Sequence, residues 1–400
     1  MNLLIAETCY RSLMSHYPIA EERVVTSFWQ TLPKPIIALA PMDGVSDAPF
    51  RQVQAQIGRP DIVFTEFTNV EGLWRGDLRL LDAFLYDDAE RPAVAQIFGS
   101  TPQDFYRSAI MVCELGFDGV DINMGCPSKC VTGKGGGAAL IREPLLAQEI
   151  VRATKQGVED WANGQTLEGI GLAPERVARI RQMNEARHSP IARRRLPVSV
   201  KTRLGYDSVI IEDWVKVLLE VEPVAISLHG RTLRQMYTGS ADWDAIGRAA
   251  EIVLQTPTLI LGNGDIHSPE DVLRRLRQTG VHGVLIGRAS MGNPWLFRDI
   301  RAALAAQTTT RPNAAERLLT ALQHVRLFSA LLPNHRFVEL RKHLSWYCRD
   351  FFDAVALRRQ LVQTNSLSEV EQMIGEALER GVGEREPAGA ASAVDSALLA

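Results

Sequence analysis

GFDGVDIN (residues 116–123) and GVHGVLIG (residues 280–287) share a Gly-x-x-Gly-Val lead-in to a short, mostly apolar run. Such a run predicts a strand with both faces buried, as in a parallel sheet covered by helices. Outward from these two, similar runs recur at 36–40 (IIALA), 62–66 (IVFTE), 93–97 (AVAQI), 197–202 (PVSVKT), 224–229 (VAISLH) and 258–262 (TLILG). With 119–123 and 283–287 they make eight, each followed by a helix-like stretch. Eight such units within residues 35–306 predict an α/β chain folded as a (β/α)8 TIM barrel, a fold of roughly 250 residues. The shared lead-in to strands four and eight suits a barrel of two half-units.

Strands four and five are set apart by residues 124–196, which hold a Gly-rich loop, a predicted helix around 143–156 and a basic insertion around 157–195. Residues 174–195 carry seven Arg against two Glu. That pattern reads as a solvated surface helix or an RNA contact. Residues 307–313 (QTTTRPN) read as a linker. Residues 312–380 are expected to form a helical domain, with ERLLTALQHVRLFSALL (316–332) its clearest amphipathic helix. Residues 1–34 precede the barrel as an extension, and 381–400 are expected to be a flexible tail.

The chain has 400 residues, 46% hydrophobic and 23% charged, with 44 Lys and Arg against 47 Asp and Glu. That is a globular composition, which excludes a largely disordered chain and a uniformly basic polyanion binder while leaving room for a local basic face. Five cysteines (Cys9, Cys113, Cys126, Cys130, Cys348) form no disulfide framework and suit a reducing compartment. The N-terminus has no basic lead, and no window holds the roughly 18 uninterrupted apolar residues of a membrane span. A cytoplasmic monomer without membrane association is expected.

In a barrel of this kind the active site lies at the C-terminal ends of the strands. There the sequence places Pro41-Met42-Asp43, Glu66, Gln96, Asn123 followed by Cys126, Lys201 and Arg203, His229, Asn263-Gly264-Asp265 and Gly287-Arg288. The Gly-rich loops after strands seven and eight suit a phosphate, with Arg288 adding a charge-assisted pair. Lys201 suits a flavin, because a cation near N1/O2 stabilises the anionic reduced ring, and His229 and Gln96 suit its pyrimidine edge. Together these features point to FMN rather than to a dinucleotide, for which no strand-first G-x-G-x-x-G unit exists. Cys126, just past strand four, faces the cavity. Cys126-x3-Cys130 has no second Cys or His pair nearby, so no metal site is expected. Cys9, Cys113 and Cys348 read as packing residues.

These motifs make the chain resemble the bacterial tRNA-dihydrouridine synthases. The matching segments run in order from APMDGVSDAPFR (40–51) through TEF (65–67), AQIFGS (95–100), GVDINMGCPSKCVTGKGGGAALI (119–141) and PVSVKTRLG (197–205). They continue with SLHGRT (227–232), GNGDI (262–266), GVLIGRASMGNPWLF (283–297) and RKHLSWY (341–347). The resemblance implies an FMN-binding barrel with a helical tRNA-binding domain that reduces a uridine of tRNA to 5,6-dihydrouridine at the expense of NADPH or NADH. It implies that Cys126 donates the proton to C5 while hydride reaches C6. It makes Pro41, Met42, Asp43, Gln96, Lys201, His229, Asn263, Gly264, Asp265, Gly287 and Arg288 the FMN contacts. Asn123, Arg203 and Tyr237 would recognise the uracil. GKGGGAAL, HGRTLRQMY and RKHLSWYCRDF are most similar to the C subgroup, which acts on uridine 16. Two departures stand out: residues 1–34 precede the usual start, and the stretch between strands four and five is longer than usual.

A uridine inside folded tRNA has to be swung out to reach such a cavity. Residues 311–360, with nine Arg or Lys against four Asp or Glu, suit contact with backbone phosphates. The rival readings are an FMN barrel reducing a small molecule, of the dihydroorotate dehydrogenase or ene-reductase kind, and a non-catalytic tRNA-binding barrel. The first does not need the basic helical domain, and the second does not need Cys126, Lys201 and His229.

Overall fold

The computed structural model describes residues 27–382 except 186, 188, 189 and 237. Residues 1–26, most of the expected tail, Cys9 and Tyr237 therefore lie outside the described residues. Eight parallel strands form the frame: β1 (Ile36–Leu39), β2 (Ile62–Phe64), β3 (Ala93–Phe98), β4 (Gly119–Met124), β5 (Val198–Arg203), β6 (Ala225–His229), β7 (Leu259–Asn263) and β8 (Gly283–Ile286). Each pairs with the next, and β8 returns to β1 with Gly283 beside Ile36, so the sheet closes as a TIM barrel. A two-residue strand, Thr68–Asn69, extends the pairing at the top of β3.

Side chains alternate across a strand, and that alternation builds the interior. Ile36, Ala38, Ile62, Phe64, Val94, Ala225, Leu259, Leu261 and Leu285 point inward as one buried cluster, with Trp29 packed against it. The opposite parity, including Ile37, Leu39, Ala95, Ile97, Val120, Ile122, Val200, Ile226 and Leu228, joins the core beneath the helices. Continued upward, the inward positions turn polar: Gln96, Asp121, Asn123, Ser199, Lys201, Arg203, Ser227, His229 and Asn263. The barrel thus has an apolar floor and a polar top.

Helices pack outside as the second layer: α1 (Ala48–Ile57), α2 (Val70–Arg75), α3 (Pro102–Glu114), α4 (Pro144–Ala162), α5 (Pro174–Glu185), α6 (Ile211–Leu219), α7 (Trp243–Val253), α8 (Pro269–Thr279) and α9 (Leu296–Leu304). Helix α4 runs past the expected 156, because Thr154, Val158 and Trp161 continue its buried face. The basic insertion lies along this wall with its arginines engaged. Arg176 donates to the Leu73 and Gly76 carbonyls, Arg179 to Asp82, Arg181 to Glu168, Arg194 to Asp118 and Arg195 to Glu159. Arg187 lies over Tyr86 and Arg193 over Trp161.

Beyond the barrel, α10 (Ala314–Leu331), α11 (Arg341–Tyr347), α12 (Ala354–Leu361) and α13 (Leu367–Glu379) gather around a core of their own. Asn313 and Glu316 close a capping box that starts α10. This helical unit docks on the barrel where the rings of His324, His343 and Phe50 meet. Lys342 donates to the Gly44 carbonyl, and Arg349 to that of Met291 at 3.2 Å. Among the described residues, no helix is long and apolar enough to cross a membrane.

Candidate active site

The polar top of the barrel opens into a cavity of about 910 Å³, within the size range of small-molecule and cofactor sites. Ten of the eleven expected cofactor contacts line it: Pro41, Met42, Asp43, Lys201, His229, Asn263, Gly264, Asp265, Gly287 and Arg288. Cys126, Asn123 and Arg203 line it as well. Gln96 does not. It is fully buried beneath the cavity, with Nε2 donating to Asp121 Oδ2 at 2.6 Å and Oε1 accepting from Asn123 Nδ2 at 2.9 Å.

The loops after β7 and β8 form one side. Gly264 (φ 124°) and Asp265 (φ 46°) both take the left-handed region that few side chains tolerate. Asp265 is pinned by Arg231 at 2.8 and 3.0 Å and by the Ala241 amide at 2.7 Å. Arg288 reaches the same carboxylate at 3.5 Å. His229 is pushed down to about 2, first by burial and then by Lys201, Arg203, Arg231 and Arg288. Of these four cations Lys201, Arg203 and Arg288 line the cavity, whereas Arg231 is buried outside its lining and paired with Asp265. That donor set fits a flavin mononucleotide: Arg288 beside the Gly-rich loops for its phosphate, and Lys201 as a positive charge for the reduced ring. Lys201 itself is lowered to about 8, first by burial and then by Arg203, while Asp121 pulls the other way.

Cys126 faces the cavity from the loop after β4 and is only 9% exposed. Asn123 Oδ1 accepts from the amides of Gly125 (3.0 Å) and Cys126 (2.8 Å). Arg203 Nε donates to the Gly125 carbonyl at 2.6 Å, and the Ala138 amide to that of Cys126 at 3.1 Å. The thiol is therefore held by its backbone on both sides. Burial raises its pKa, against an opposing hydrogen bond from the Ser128 amide, so it is protonated at neutral pH. The four described cysteines are all free; Cys130 is exposed beside the Ser128 hydroxyl, whereas Cys113 and Cys348 are buried.

Asn123 has little left to offer a ligand. Both lone pairs of its oxygen and one of its two N–H bonds are engaged, leaving one donor. Arg203 is tied to the Gly125, Thr232 and Met236 carbonyls, so it braces the site as well as lining it. Sequence reasoning missed Asp121, buried under the cavity, and the lining residues Phe67, Lys129 and Tyr206, the last with Arg142 3.5 Å above its ring. A carboxylate inside the apolar run GVDIN was the available signal for Asp121. Among the described residues no cluster of three or more His, Cys, Asp or Glu could hold a metal ion.

A family model described as dihydrouridine synthase matches residues 38–164 and 175–382. The probable tRNA-dihydrouridine synthase of Staphylococcus aureus (strain COL) is 33% identical over 358 residues, 88% of this chain and 95% of that protein. The probable tRNA-dihydrouridine synthase 2 of Bacillus subtilis (strain 168) is 32% identical over 356 residues, 87% of this chain and 95% of its own. Among solved structures, the DHODH of Eimeria tenella in complex with ferulenol aligns over 76% of this chain and 90% of that one, at 15% identity and a TM-score of 0.47. The match begins in β1, passes through the strand ends that build the cavity and runs to the end of the helical unit: the chain belongs to the dihydrouridine synthase family.

Proposed function

We propose that this protein reduces a uridine of tRNA to 5,6-dihydrouridine, with FMN as its bound flavin and NADPH or NADH as the reductant. The observation that carries the proposal is a buried Cys126 lining the same cavity as Lys201, His229 and Arg288. Bound there, the flavin would supply hydride to C6 of the uracil. Lys201, His229, Arg288 and the loops bearing Asn263, Gly264 and Gly287 would hold it, with Pro41, Met42 and Asp43 along the first strand's rim.

The remaining chemistry belongs to the chain. Hydride addition at C6 leaves negative charge over C5 and O4, and the reaction ends when C5 takes a proton. Cys126 is the general acid: its S–H bond breaks as the C5–H bond forms, and solvent later returns a proton to the sulfur. The remaining N–H of Asn123 would donate to a uracil carbonyl, and the Arg203 charge would stabilise the ring as its negative charge grows. Tyr237 is the third expected uracil contact. The helical unit would supply phosphate contacts outside the cavity, with exposed Arg359 one such group. Arg358 instead donates to the Cys348 carbonyl at 2.6 Å and holds α12 in place. Uridine 16 of the D-loop is the proposed position and the cytoplasm the proposed compartment.

Mass spectrometry of tRNA from a strain lacking the protein tests this reading directly. Loss of dihydrouridine at one D-loop position, restored by the wild-type protein, is expected. Unchanged dihydrouridine, with reductase activity on a small pyrimidine, would favour the rival small-molecule reading. Cys126→Ala is expected to keep its flavin absorbance and to lose roughly 10²- to 10⁴-fold in turnover. Wild-type turnover by that variant would remove Cys126 from its assigned role.

A further inference from the structure

Asp121 lies two residues before Asn123 on β4, fully buried, opposite Gln96 on β3 and Ser199 on β5. Its Oδ1 accepts from Ser199 Oγ at 2.6 Å and its Oδ2 from Gln96 Nε2 at 2.6 Å. Three further bonds continue upward: Asn123 Nδ2 to Gln96 Oε1, then the Gly125 and Cys126 amides to Asn123 Oδ1. Of the four residues whose side chains make these bonds, Asn123 lines the cavity, whereas Asp121, Gln96 and Ser199 lie beneath it.

We propose that Asp121 is a positioning residue for the Cys126 acid, fixing the direction of an amide relay that ends on the Cys126 backbone. Donors and acceptors decide that direction. An ionised carboxylate only accepts, so it compels Gln96 to present its NH2. Gln96 then offers oxygen to Asn123, which must answer with its own NH2. Asn123 is left with oxygen toward the two loop amides, the only arrangement those N–H groups accept. Reverse any one amide and a donor faces a donor in a buried site, where a lost pair is costly. Two side-chain amides in series have no polarity of their own; the loop N–H groups at one end and Asp121 at the other demand the same one, and Asp121 is the end that a side-chain substitution can change. The pull of burial puts Asp121 at about 6, so it is ionised at pH 7–8.

The inference rests on the proposed role of Cys126, and its test has a readout that needs no tRNA. In the FMN-loaded protein, the rate at which iodoacetamide modifies Cys126 is followed by peptide-resolved mass spectrometry, beside kcat and KM for tRNA. Asp121→Leu keeps the branched shape, at a larger volume, and removes the acceptor. Gln96→Glu sets two carboxylates against each other. Each is expected to modify faster at Cys126 and to lose roughly 10- to 100-fold in kcat, because an acid misplaced by about 1 Å costs on that order. KM for tRNA should stay within about threefold.

Asp121→Asn added to Gln96→Glu restores every pair. The new amide at position 121 accepts from the Ser199 hydroxyl and donates to the new carboxylate at position 96, which still accepts from Asn123. Compared at matched FMN content, the double variant is expected to return toward wild type in both alkylation rate and kcat. A double variant no better than Gln96→Glu, or unable to fold, would overturn the relay, as would single variants with wild-type alkylation. If instead the wild type makes no dihydrouridine yet the alkylation pattern appears, the functional reading fails and the relay stands.

Discussion

Lys201 illustrates how a single side chain is set by its neighbours. Burial and the nearby Arg203 lower it from 10.5 to about 8, and Asp121 below opposes them. An anionic ligand favours the charged ammonium, so affinity must be highest where the free protein already holds that proton. Binding of FMN to the flavin-free protein is therefore expected to weaken as pH rises through about 8, by up to about tenfold per unit. Titration calorimetry between about pH 6.5 and 9.5 reads this directly. Lys201→Met should bind more weakly at pH 7 and lose the inflection; an inflection kept in that variant would assign it to another group. At this scale many cavity-lining residues were legible from strand ends, though Phe67, Lys129 and Tyr206 in the loops were not: the parity that buries Leu259 and Leu261 also turns Asn263 inward. Gln96 was not. Its place at a strand end is visible in the sequence, but that its donor is spent on Asp121 follows from the β3–β4 register, which the chain's local pattern does not contain.

Among the elements, the eight expected strands coincide with the observed ones to within two residues at each end, because nearly every one is a short, mostly apolar run with a polar residue at or just beyond its C-terminal end. Charge was less informative than hydrophobicity. Seven arginines between 174 and 195 suggest a basic face, yet the structure engages each with a carboxylate, a carbonyl or an aromatic ring of the barrel wall. Neutralising partners such as Asp82 and Asp118 lie far away in sequence, where no local count finds them. Reversing Arg181, whose exposed pair with Glu168 is worth less than about 1 kcal/mol, is expected to leave tRNA affinity within about twofold. Arg359→Glu on α12 should weaken it several-fold and flatten its salt dependence, as measured by filter binding at two ionic strengths. Equal effects would place the insertion in the RNA interface. Helix α1 depends on an ion pair of another kind. Arg51 and Glu90 meet at 2.8 Å with both side chains fully buried, and Arg51 also donates to the Ser46 and Leu85 carbonyls. Arg51→Met strands Glu90 without its partner and is expected to cost about 3–5 kcal/mol in urea unfolding.

At the scale of the whole molecule, the polar stretch 307–313 lies between α9 and α10, and nothing in the sequence marks the surface on which the helical unit docks. His324, His343 and Tyr347 read in sequence as ordinary members of amphipathic helices, and only packing against Phe50 shows them buried together. That docking reaches the rim of the active site, since Lys342 holds the Gly44 carbonyl and Arg349 holds that of Met291, beside the cavity. At Gly292 the backbones of the two units approach closely. Its φ of 61° is strained for any other residue, and a Cβ there would run into the Trp346 carbonyl and lie 2.8 Å from the Trp346 Cβ. Neither clash falls on a flexible side-chain tip, so Gly292→Ala has to lift α11 or distort the β8 loop. If the helical unit orients tRNA over the mouth, the variant should bind tRNA about tenfold more weakly, a loss of about 1.4 kcal/mol, while keeping its FMN and the reduction of that flavin by NADPH. Both readouts can be measured on one preparation. Weakened RNA binding with intact flavin reduction places the docking angle in substrate recognition; intact RNA binding would mean that the barrel mouth alone holds the nucleic acid.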